Sequence, residues 1–209
     1  MDHNSSFQVQ VDALISTIET LRQSTENRTI IAIAGPPNSG KTTLADLIAR
    51  GLPKSSVVSM DGFHLDNSIL IEKGLADRKG APETFDLSGF AHLISRLEEK
   101  KEIYVPAFDR KLDKTTNCCH VIPYSHDLVI VEGNYLLLDE PNWRDLNALW
   151  DLRVFINLSI SQIRKRALER WAKLNVPAKK AIQWVENNDL PNAERILKKR
   201  LPEDVLIKG

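Results

Sequence analysis

The sequence feature that most constrains the fold is a glycine-bounded loop between two segments of different periodicity. Residues 29–34 are β-branched and almost wholly apolar, which is typical of a parallel strand covered on both faces. Gly35 ends this run, and residues 41–50 follow with the pattern of a helix that Gly51 closes. A buried strand that passes through a short loop directly into a helix indicates an α/β fold with a parallel sheet.

The loop itself, residues 35–42 (GPPNSGKT), matches the pattern G-x-x-x-x-G-K-[ST]. Glycine permits close approaches that a Cβ atom would block, so the loop N–H groups can point at anionic phosphates. We expect Lys41 to reach the β- and γ-phosphates of ATP and the Thr42 hydroxyl to bind Mg²⁺. The residues expected to bind the nucleotide are Gly35, Pro36, Pro37, Asn38, Ser39, Gly40, Lys41, Thr42 and Thr43.

Composition argues against several kinds of partner. The 28 basic residues balance the 28 acidic ones, so the whole chain has no electrostatic preference for nucleic acid or an anionic membrane. No apolar run approaches the ~20 residues of a membrane-spanning helix, and no signal peptide is recognisable at the N-terminus. We therefore expect a soluble, cytoplasmic protein. The oligomeric state is left open, a homodimer included.

The cysteines point to neither a disulfide framework nor a strong metal motif. Cys118 and Cys119 are adjacent, and such neighbours rarely bridge each other. Cys118, Cys119 and His120 could be read as part of a zinc site, but no second Cys/His pair lies at ligand spacing. We expect no structural zinc.

The remaining pattern predicts one domain over residues 1–209. Further strands are expected at residues 57–60, 128–131, 152–156 and 204–207, alternating with helical patterns. An amphipathic N-terminal helix is expected within residues 1–27, and a second helix is opened by Asp86. A third helix is expected over residues 159–176, where Ser159 and Gln162 form a capping box. A fourth helix starts at Pro177, which is acceptable in a first turn. Residues 61–127 are too long for a simple loop and are expected to form the substrate-binding region.

Two acidic residues lie where predicted strands end. Asp61 follows the second strand, and Glu132 follows the third. Ligands of open α/β sheets bind beyond the carboxyl ends of the strands, which is also where Gly35 leaves the first strand. One carboxylate there can accept the proton of an alcohol, and the other can hold Mg²⁺.

Missing motifs narrow the class of nucleotide-binding protein. The Asn-Lys-x-Asp guanine motif of GTPases is absent, and Asp86-Leu-Ser-Gly89 fits D-x-x-G by letters alone because it opens a helix. An ATPase motor would normally be larger or visibly modular. These absences favour a small-molecule kinase.

Several segments then resemble one group of kinases, which comprises phosphoribulokinase, uridine kinase and bacterial pantothenate kinase. Asp61-Gly-Phe and residues 79–86 (KGAPETFD) are similar to pantothenate kinase segments. Residues 105–110 (VPAFDR) resemble the group's substrate segment, and residues 131–133 (VEG) its acidic strand end. Longer strings at 60–67, 132–138 and 188–192 look closest to a small bacterial subgroup labelled nucleoside/nucleotide kinase-like or fructose transport system kinase.

The resemblance implies roles for individual residues. Asp61 matches the group's catalytic base, Glu132 the acid near the metal, and Arg166 and Arg170 the phosphate-contacting arginines of a lid helix. It also implies a three-layer α/β/α P-loop fold with a five-stranded parallel sheet in the order 2-3-1-4-5, helices on both faces and a lid helix. The candidate substrate contacts are Asp61, His64, Asp109, Arg110 and Asn192, and a packed or surface role is the alternative for the last four. For Asp61 and Glu132 the alternative is a turn cap, and for the two arginines it is a solvated helix face paired with Glu169.

The departures from the group leave the substrate open. Uridine kinases carry a tyrosine where His64 stands and lack the glycine before Phe63, and pantothenate kinases are much longer. We expect an ATP- and Mg²⁺-dependent kinase that phosphorylates a hydroxyl of a sugar, a nucleoside or a pantothenate-like alcohol. The alternative is a nucleotide-dependent regulatory ATPase that serves a transport system.

Overall fold

The computed structural model describes residues 3–209, and the elements in this part of the chain alternate as the sequence predicts. The strands are β1 (Thr29–Ala34), β2 (Ser55–Ser59), β3 (Ile103–Asp109), β4 (Lys114–Ile122), β5 (Leu128–Gly133), β6 (Leu152–Asn157) and β7 (Val205–Lys208). The α-helices are α1 (His3–Gln23), α2 (Lys41–Gly51), α3 (Asn67–Glu72), α4 (Leu87–Arg96), α5 (Ile160–Lys173), α6 (Ala178–Trp184) and α7 (Leu190–Lys198).

Five of the strands form one parallel sheet in the order β2-β5-β1-β6-β7. Counted without the two strands of a separate hairpin, this order is 2-3-1-4-5, which confirms the predicted topology. All residues of β1 and of β5 are buried, because layers cover both faces of the sheet and neither strand lies at an edge. Their register pairs Ala34 with Gly133, so the two strands end at the same edge.

Helices cover both faces of the sheet, as predicted for a three-layer fold. On one face, α1 and α2 pack on the sheet through residues such as Leu14, Ile18 and Leu44. On the other face, α4 and the segment after β5 bury residues such as Phe90 and Tyr135. A smaller cluster joins α5 to α7 and to the π-helical turn Val185–Asp189, through which α6 and α7 meet. Within residues 3–209, no helix is both long and apolar enough to span a lipid bilayer.

Element boundaries differ from the predictions by a few residues. Strand β2 stops at Ser59, since Met60–Phe63 turns into a 3₁₀ helix that Ser59 caps by accepting a hydrogen bond from the Asp61 N–H. The predicted capping box at Ser159 is present at the start of α5. Pro177 caps α6 rather than occupying its first turn. The N-terminal helix spans His3–Gln23, and predicted positions 1–2 lie outside the described residues.

Residues 61–127 contain the predicted helix opened by Asp86, which is α4, and further structure that the pattern did not resolve. They form α3, α4 and the antiparallel hairpin β3–β4, whose strands are joined outside the main sheet. The hairpin escaped prediction because β4 is exposed at nearly every position and therefore shows no alternation of apolar and polar residues. Cys118 and Cys119 are free, exposed thiols on this strand.

The hairpin is seated on the 3₁₀ turn through Gly62. A Cβ atom at this position would lie 2.6 Å from the Pro106 carbonyl oxygen in β3, which is backbone and cannot rotate away. The glycine of the Asp61-Gly-Phe segment thus lets the hairpin approach the residue that follows β2.

Replacing Gly62 by alanine should therefore destabilise the protein by about 1–3 kcal/mol, the usual cost of forcing a methyl group into packed space. The measurement is chemical denaturation followed by circular dichroism. Gly51→Ala is the matched control, because its added methyl meets only the end of the Ile15 side chain at 3.0 Å and should cost less. Equal stability of Gly62→Ala and the unsubstituted protein would contradict this account of the hairpin.

Candidate active site

The loop between β1 and α2 has the backbone shape of a phosphate cradle. Gly40 precedes α2 in the left-handed conformation with φ 98°, and Asn38 is left-handed at φ 60°. A Cβ atom at Gly35 would lie 2.9 Å from the Ile156 carbonyl oxygen, so the start of the loop accepts only glycine. These conformations turn the loop in front of the α2 N-terminus, whose N–H groups favour anions.

Lys41 lies buried beneath the loop, with 8% of its surface exposed. Its Nζ donates to the Pro36 carbonyl oxygen at 2.9 Å and to Ser39 Oγ at 3.4 Å. Burial lowers the pKa of Lys41 to about 8, against the opposing attraction of the Glu132 and Asp61 carboxylates. A phosphate bound in the loop would favour the charged ammonium, since an adjacent anion raises the pKa of an amine.

A serine that the sequence analysis did not identify, Ser59, contacts both of the predicted acids. Ser59 is paired with Glu132 in the sheet register, and its Oγ donates to Glu132 Oε1 at 2.6 Å. The same oxygen accepts a hydrogen bond from the Asp61 N–H at 3.3 Å. Ser59 therefore holds both acidic residues at the ends of β2 and β5. The only sequence signal for Ser59 was its position two residues before Asp61, at the end of a predicted strand.

Glu132 is the more deeply buried of the two acids, with 5% of its surface exposed. Burial raises the pKa of its carboxyl group, while Lys41 and the Ser59 hydrogen bond favour the ionised form. Asp61 is half-buried, and its Oδ2 accepts a hydrogen bond from Arg110 Nη2 at 2.9 Å. Arg110 comes from the β3–β4 hairpin, so this hairpin reaches the acid at the end of β2.

A cavity of about 630 Å³ collects these groups at the carboxyl edge of the sheet. Its walls include Pro37, Asn38 and residues 40–43 of the loop, together with the Asp61 and Glu132 carboxylates. They also include Asn134, which the sequence analysis did not identify as a site residue. A second cavity of about 370 Å³ adjoins it beneath the hairpin and shares Thr42, Asp61 and Glu132. The shared acids lie where one cavity meets the other.

The lid arginines reach the phosphate loop. Arg166 Nη1 donates to the Ser39 carbonyl oxygen at 3.2 Å, and Arg170 Nη1 donates to Asn38 Oδ1 at 3.3 Å. Both residues line the larger cavity, one turn apart on α5. Burial lowers the pKa of Arg170, but the guanidinium remains charged throughout the physiological range. Both guanidinium groups therefore lie beside the phosphate loop.

His64 packs among aromatic rings beside the candidate base. Its ring stacks on Phe85 with centroids 4.1 Å apart and lies 4.8 Å from Phe108. Burial lowers the pKa of His64 to about 4, so the ring is neutral near pH 7 although its Nε2 lies 4.0 Å from Asp61 Oδ1. Stacking explains why an aromatic side chain stands at this position.

Two of the candidate substrate contacts lie away from both cavities. Asp109 Oδ1 accepts hydrogen bonds from the N–H groups of Lys111 and Leu112 at 2.8 and 3.0 Å, which closes the turn of the hairpin. Asn192 is buried in α7 and donates to Asn188 Oδ1 at 3.2 Å. The structure therefore assigns these two side chains to turn closure and helix packing, and brings only Asp61 and Arg110 of the five candidates to the cavity walls.

The residues near the acids suit Mg²⁺ as a partner of a bound nucleotide. Thr42 and Glu132 present a hydroxyl and a carboxylate to the same cavities, and Mg²⁺ prefers such oxygen ligands together with phosphate and water. In the part of the chain that the structure describes, no three His, Cys, Asp or Glu side chains form a metal-binding group. The donor set thus fits a metal held largely by the nucleotide, with Thr42 and Glu132 as the protein ligands.

Comparison with known proteins agrees with this geometry. The chain matches the phosphoribulokinase / uridine kinase family over residues 30–170. It is 33% identical to the uncharacterized protein YggC of Escherichia coli K12 over 191 residues, which cover 88% of this chain and 78% of that one. It is 32% identical over 158 residues to the pantothenate kinase of Listeria monocytogenes serotype 4a, covering 71% of this chain but 51% of that enzyme.

A solved structure extends the similarity over nearly the whole chain. The crystal structure of a candidate fructose transport system kinase from Silicibacter sp. TM1040 has a TM-score of 0.89 and 39% sequence identity to this chain. The match covers 94% of this chain and 98% of that one. This match therefore extends beyond residues 30–170, which the family match covers.

Ser59→Ala should lower kcat/KM by about 10- to 100-fold, because a hydrogen bond to a charged group contributes about 1.5–3 kcal/mol. Ser59→Thr keeps the hydroxyl and should restore most of the activity. Ser55→Ala is the matched control on the same strand, since Ser55 Oγ donates to Leu52 and Ala49 carbonyl oxygens away from the acids. Steady-state kinetics on all three variants provide the measurement. Loss of activity equal in the Ser55 and Ser59 variants would contradict a specific role for Ser59.

Proposed function

Because the chain belongs to the phosphoribulokinase and uridine kinase family, we propose that it transfers the γ-phosphoryl group of ATP to a hydroxyl of a small polar metabolite. The acceptor class comprises sugars, nucleosides and pantothenate-like alcohols. The observation that carries this proposal is that Asp61 and Glu132 line both cavities, while Lys41 lines the cavity of the phosphate loop and is attracted by both carboxylates. One cavity begins at the phosphate loop, and the other offers room for an acceptor next to the same acids.

Each residue then has a separate task. The loop N–H groups and Lys41 bind the phosphates, and Lys41 stabilises the charge that develops on the migrating phosphoryl group. Asp61 orients the acceptor hydroxyl and takes its proton as the general base. Bound Mg²⁺, held by Thr42 and Glu132, would neutralise phosphate charge.

The arginines complete the phosphate environment from two directions. Arg166 and Arg170 reach the loop from α5, and their planar forks match phosphate oxygens in pairs. Arg110 holds Asp61 from the hairpin side, so an arriving acceptor would compete for the same carboxylate. Closure of α5 over the loop would exclude water, which favours transfer to the alcohol over hydrolysis.

The decisive experiment measures ADP release with a panel of acceptors. The panel contains neutral sugars, nucleosides and pantothenate, each tested with Mg·ATP and with Lys41→Ala as the inactive control. A kinase gives strong stimulation by one class of compound and a phosphorylated product by mass spectrometry. Equal turnover with every compound, or turnover that requires a transport protein, would instead indicate the regulatory ATPase.

Asp61→Asn should separate nucleotide binding from chemistry. We expect the Kd for Mg·ATP to stay within about threefold while phosphoryl transfer falls by about 10²- to 10⁴-fold, the usual effect of losing a general base. Calorimetry and initial rates measure the two quantities. Asp77→Asn is the control, because Asp77 is an exposed carboxylate in the 3₁₀ helix Ala76–Arg78, outside both cavities. Loss of ATP binding together with its Mg²⁺ dependence would make Asp61 a metal ligand instead.

Arg166 and Arg170 should act on the same phosphates and therefore show non-additive effects. A double-mutant cycle with alanine at each position should give a coupling of about 0.5–3 kcal/mol in kcat/KM. Lysine should replace either arginine poorly because it lacks the planar fork. Lys165→Ala provides the control on the exposed side of the same helix. Strictly additive effects of a few tenths of a kcal/mol would remove both arginines from the mechanism.

A further inference from the structure

The 370 Å³ cavity beneath the hairpin begins at the acids and extends beyond them. It shares Thr42, Asp61 and Glu132 with the larger cavity. The rest of its wall comes from β2, from the β3–β4 hairpin and from the second turn of α2, which contributes Asp46. An acceptor whose reacting hydroxyl lies at Asp61 would therefore place the rest of its structure against these elements.

Most of the remaining wall is apolar. It comprises Val57 and Val58 of β2 and Val105, Pro106, Ala107 and Phe108 of β3. His120 of β4, which pairs with Val105 across the hairpin, adds an imidazole. Apolar walls with a few polar groups are typical of pockets that bind small organic ligands, and 370 Å³ lies within the usual size range of such pockets.

The charged side chains of this wall are mostly acidic. Asp46, Asp61 and Glu132 contribute carboxylates, whereas Arg110 is the one lysine or arginine among the described residues that line the cavity. The Arg110 guanidinium is already paired with Asp61, with Nη2 and Oδ2 2.9 Å apart. Glu132 interacts with the Lys41 ammonium and is the expected protein ligand of Mg²⁺.

Asp46 is the carboxylate of this wall that has no such partner. Its side chain is exposed. Among residues 6–209, no lysine, arginine or histidine side chain forms an ion pair with it. A carboxylate in this state repels an anionic ligand and accepts hydrogen bonds from the O–H and N–H groups of a neutral one.

We propose that Asp46 is a specificity-determining residue of the acceptor cavity, which selects an acceptor without an anionic group and rejects carboxylated or phosphorylated alcohols. The inference rests on the proposed function, since it narrows the class of acceptor. Of the classes proposed above, it favours neutral sugars and nucleosides over pantothenate. The carboxylate of pantothenate would enter a cavity whose one arginine is already paired and whose wall adds the charge of Asp46.

Initial rates with matched pairs of acceptors test this assignment. The two members of each pair share a scaffold and differ in an anionic group, and the pairs are fructose with fructose 6-phosphate, uridine with orotidine, and panthenol with pantothenate. In the pair that the unsubstituted protein phosphorylates, we expect kcat/KM to be at least about 10-fold higher for the neutral member. Added salt should narrow this difference, because it screens the charge of an exposed carboxylate.

Charge reversal at Asp46 provides the direct test. Asp46→Lys should lower the ratio of kcat/KM for the neutral member to that for the anionic member by about 10-fold, and Asp46→Asn should lower it less. Asp77→Lys is the matched control, because Asp77 is an exposed carboxylate outside both cavities. His120→Gln should leave the ratio within about twofold, since the selectivity is assigned to the carboxylate. The Kd for Mg·ATP, measured by calorimetry, should be unchanged in the Asp46 variants, because Asp46 does not line the cavity of the phosphate loop.

The outcomes separate this inference from the proposed function. A preference for the anionic member of a pair, or a ratio that Asp46→Lys leaves unchanged, would overturn the inference while the kinase proposal stands. Weaker Mg·ATP binding by Asp46→Asn would also overturn it, because Asp46 would then serve the nucleotide. If Asp46→Lys is unfolded by circular dichroism, Asp46→Asn decides by the same ratio. If the unsubstituted protein phosphorylates no member of any pair, the proposed function and this inference both fall.

Discussion

The parallel pairing of β5 with its neighbours β1 and β2 is the constraint on which the site depends. Register places Glu132 beside Ile33 on one side and beside Ser59 on the other, so the acid, the start of the phosphate loop and the Asp61 turn meet at one edge. Both faces of this sheet are covered, and a slip of one residue would exchange its two faces. Apolar burial of the central strands thereby determines where the polar groups at their ends lie.

Opposite charges are held close together at that edge with little access to water. Burial disfavours the ammonium of Lys41 and the carboxylate of Glu132 alike, while each attracts the charged form of the other. Such a pair is poorly solvated on its own, so a bound polyanion with its cation can supply the missing electrostatic interactions. The same burial that costs stability therefore favours binding of a metal–phosphate complex.

Groups from distant parts of the chain close the site above this fixed edge. Arg110 arrives on the hairpin, Arg166 and Arg170 arrive on α5, and α1 borders the loop from the other side. The π-helical turn Val185–Asp189 links two of these parts. Its Asn188 side chain donates to the Lys79 carbonyl oxygen at 2.8 Å, and its Asp189 accepts from the Trp171 indole of α5 at 3.2 Å. The segment that contains Lys79 and helix α5 thus share one support.

The sequence alone determined the parts of the protein that depend on local order. The phosphate loop, the alternation of strands with helices and the acids after β2 and β5 were readable because backbone geometry and burial leave a periodic or glycine-marked trace. Ser59 and the β3–β4 hairpin left no such trace. Their roles arise from contacts between residues far apart in the chain, such as Ser59 with Glu132 and Arg110 with Asp61. Only the tertiary structure could decide these, because hydrogen bonding across strands and packing of a hairpin against a turn depend on spatial proximity that no sequence period encodes.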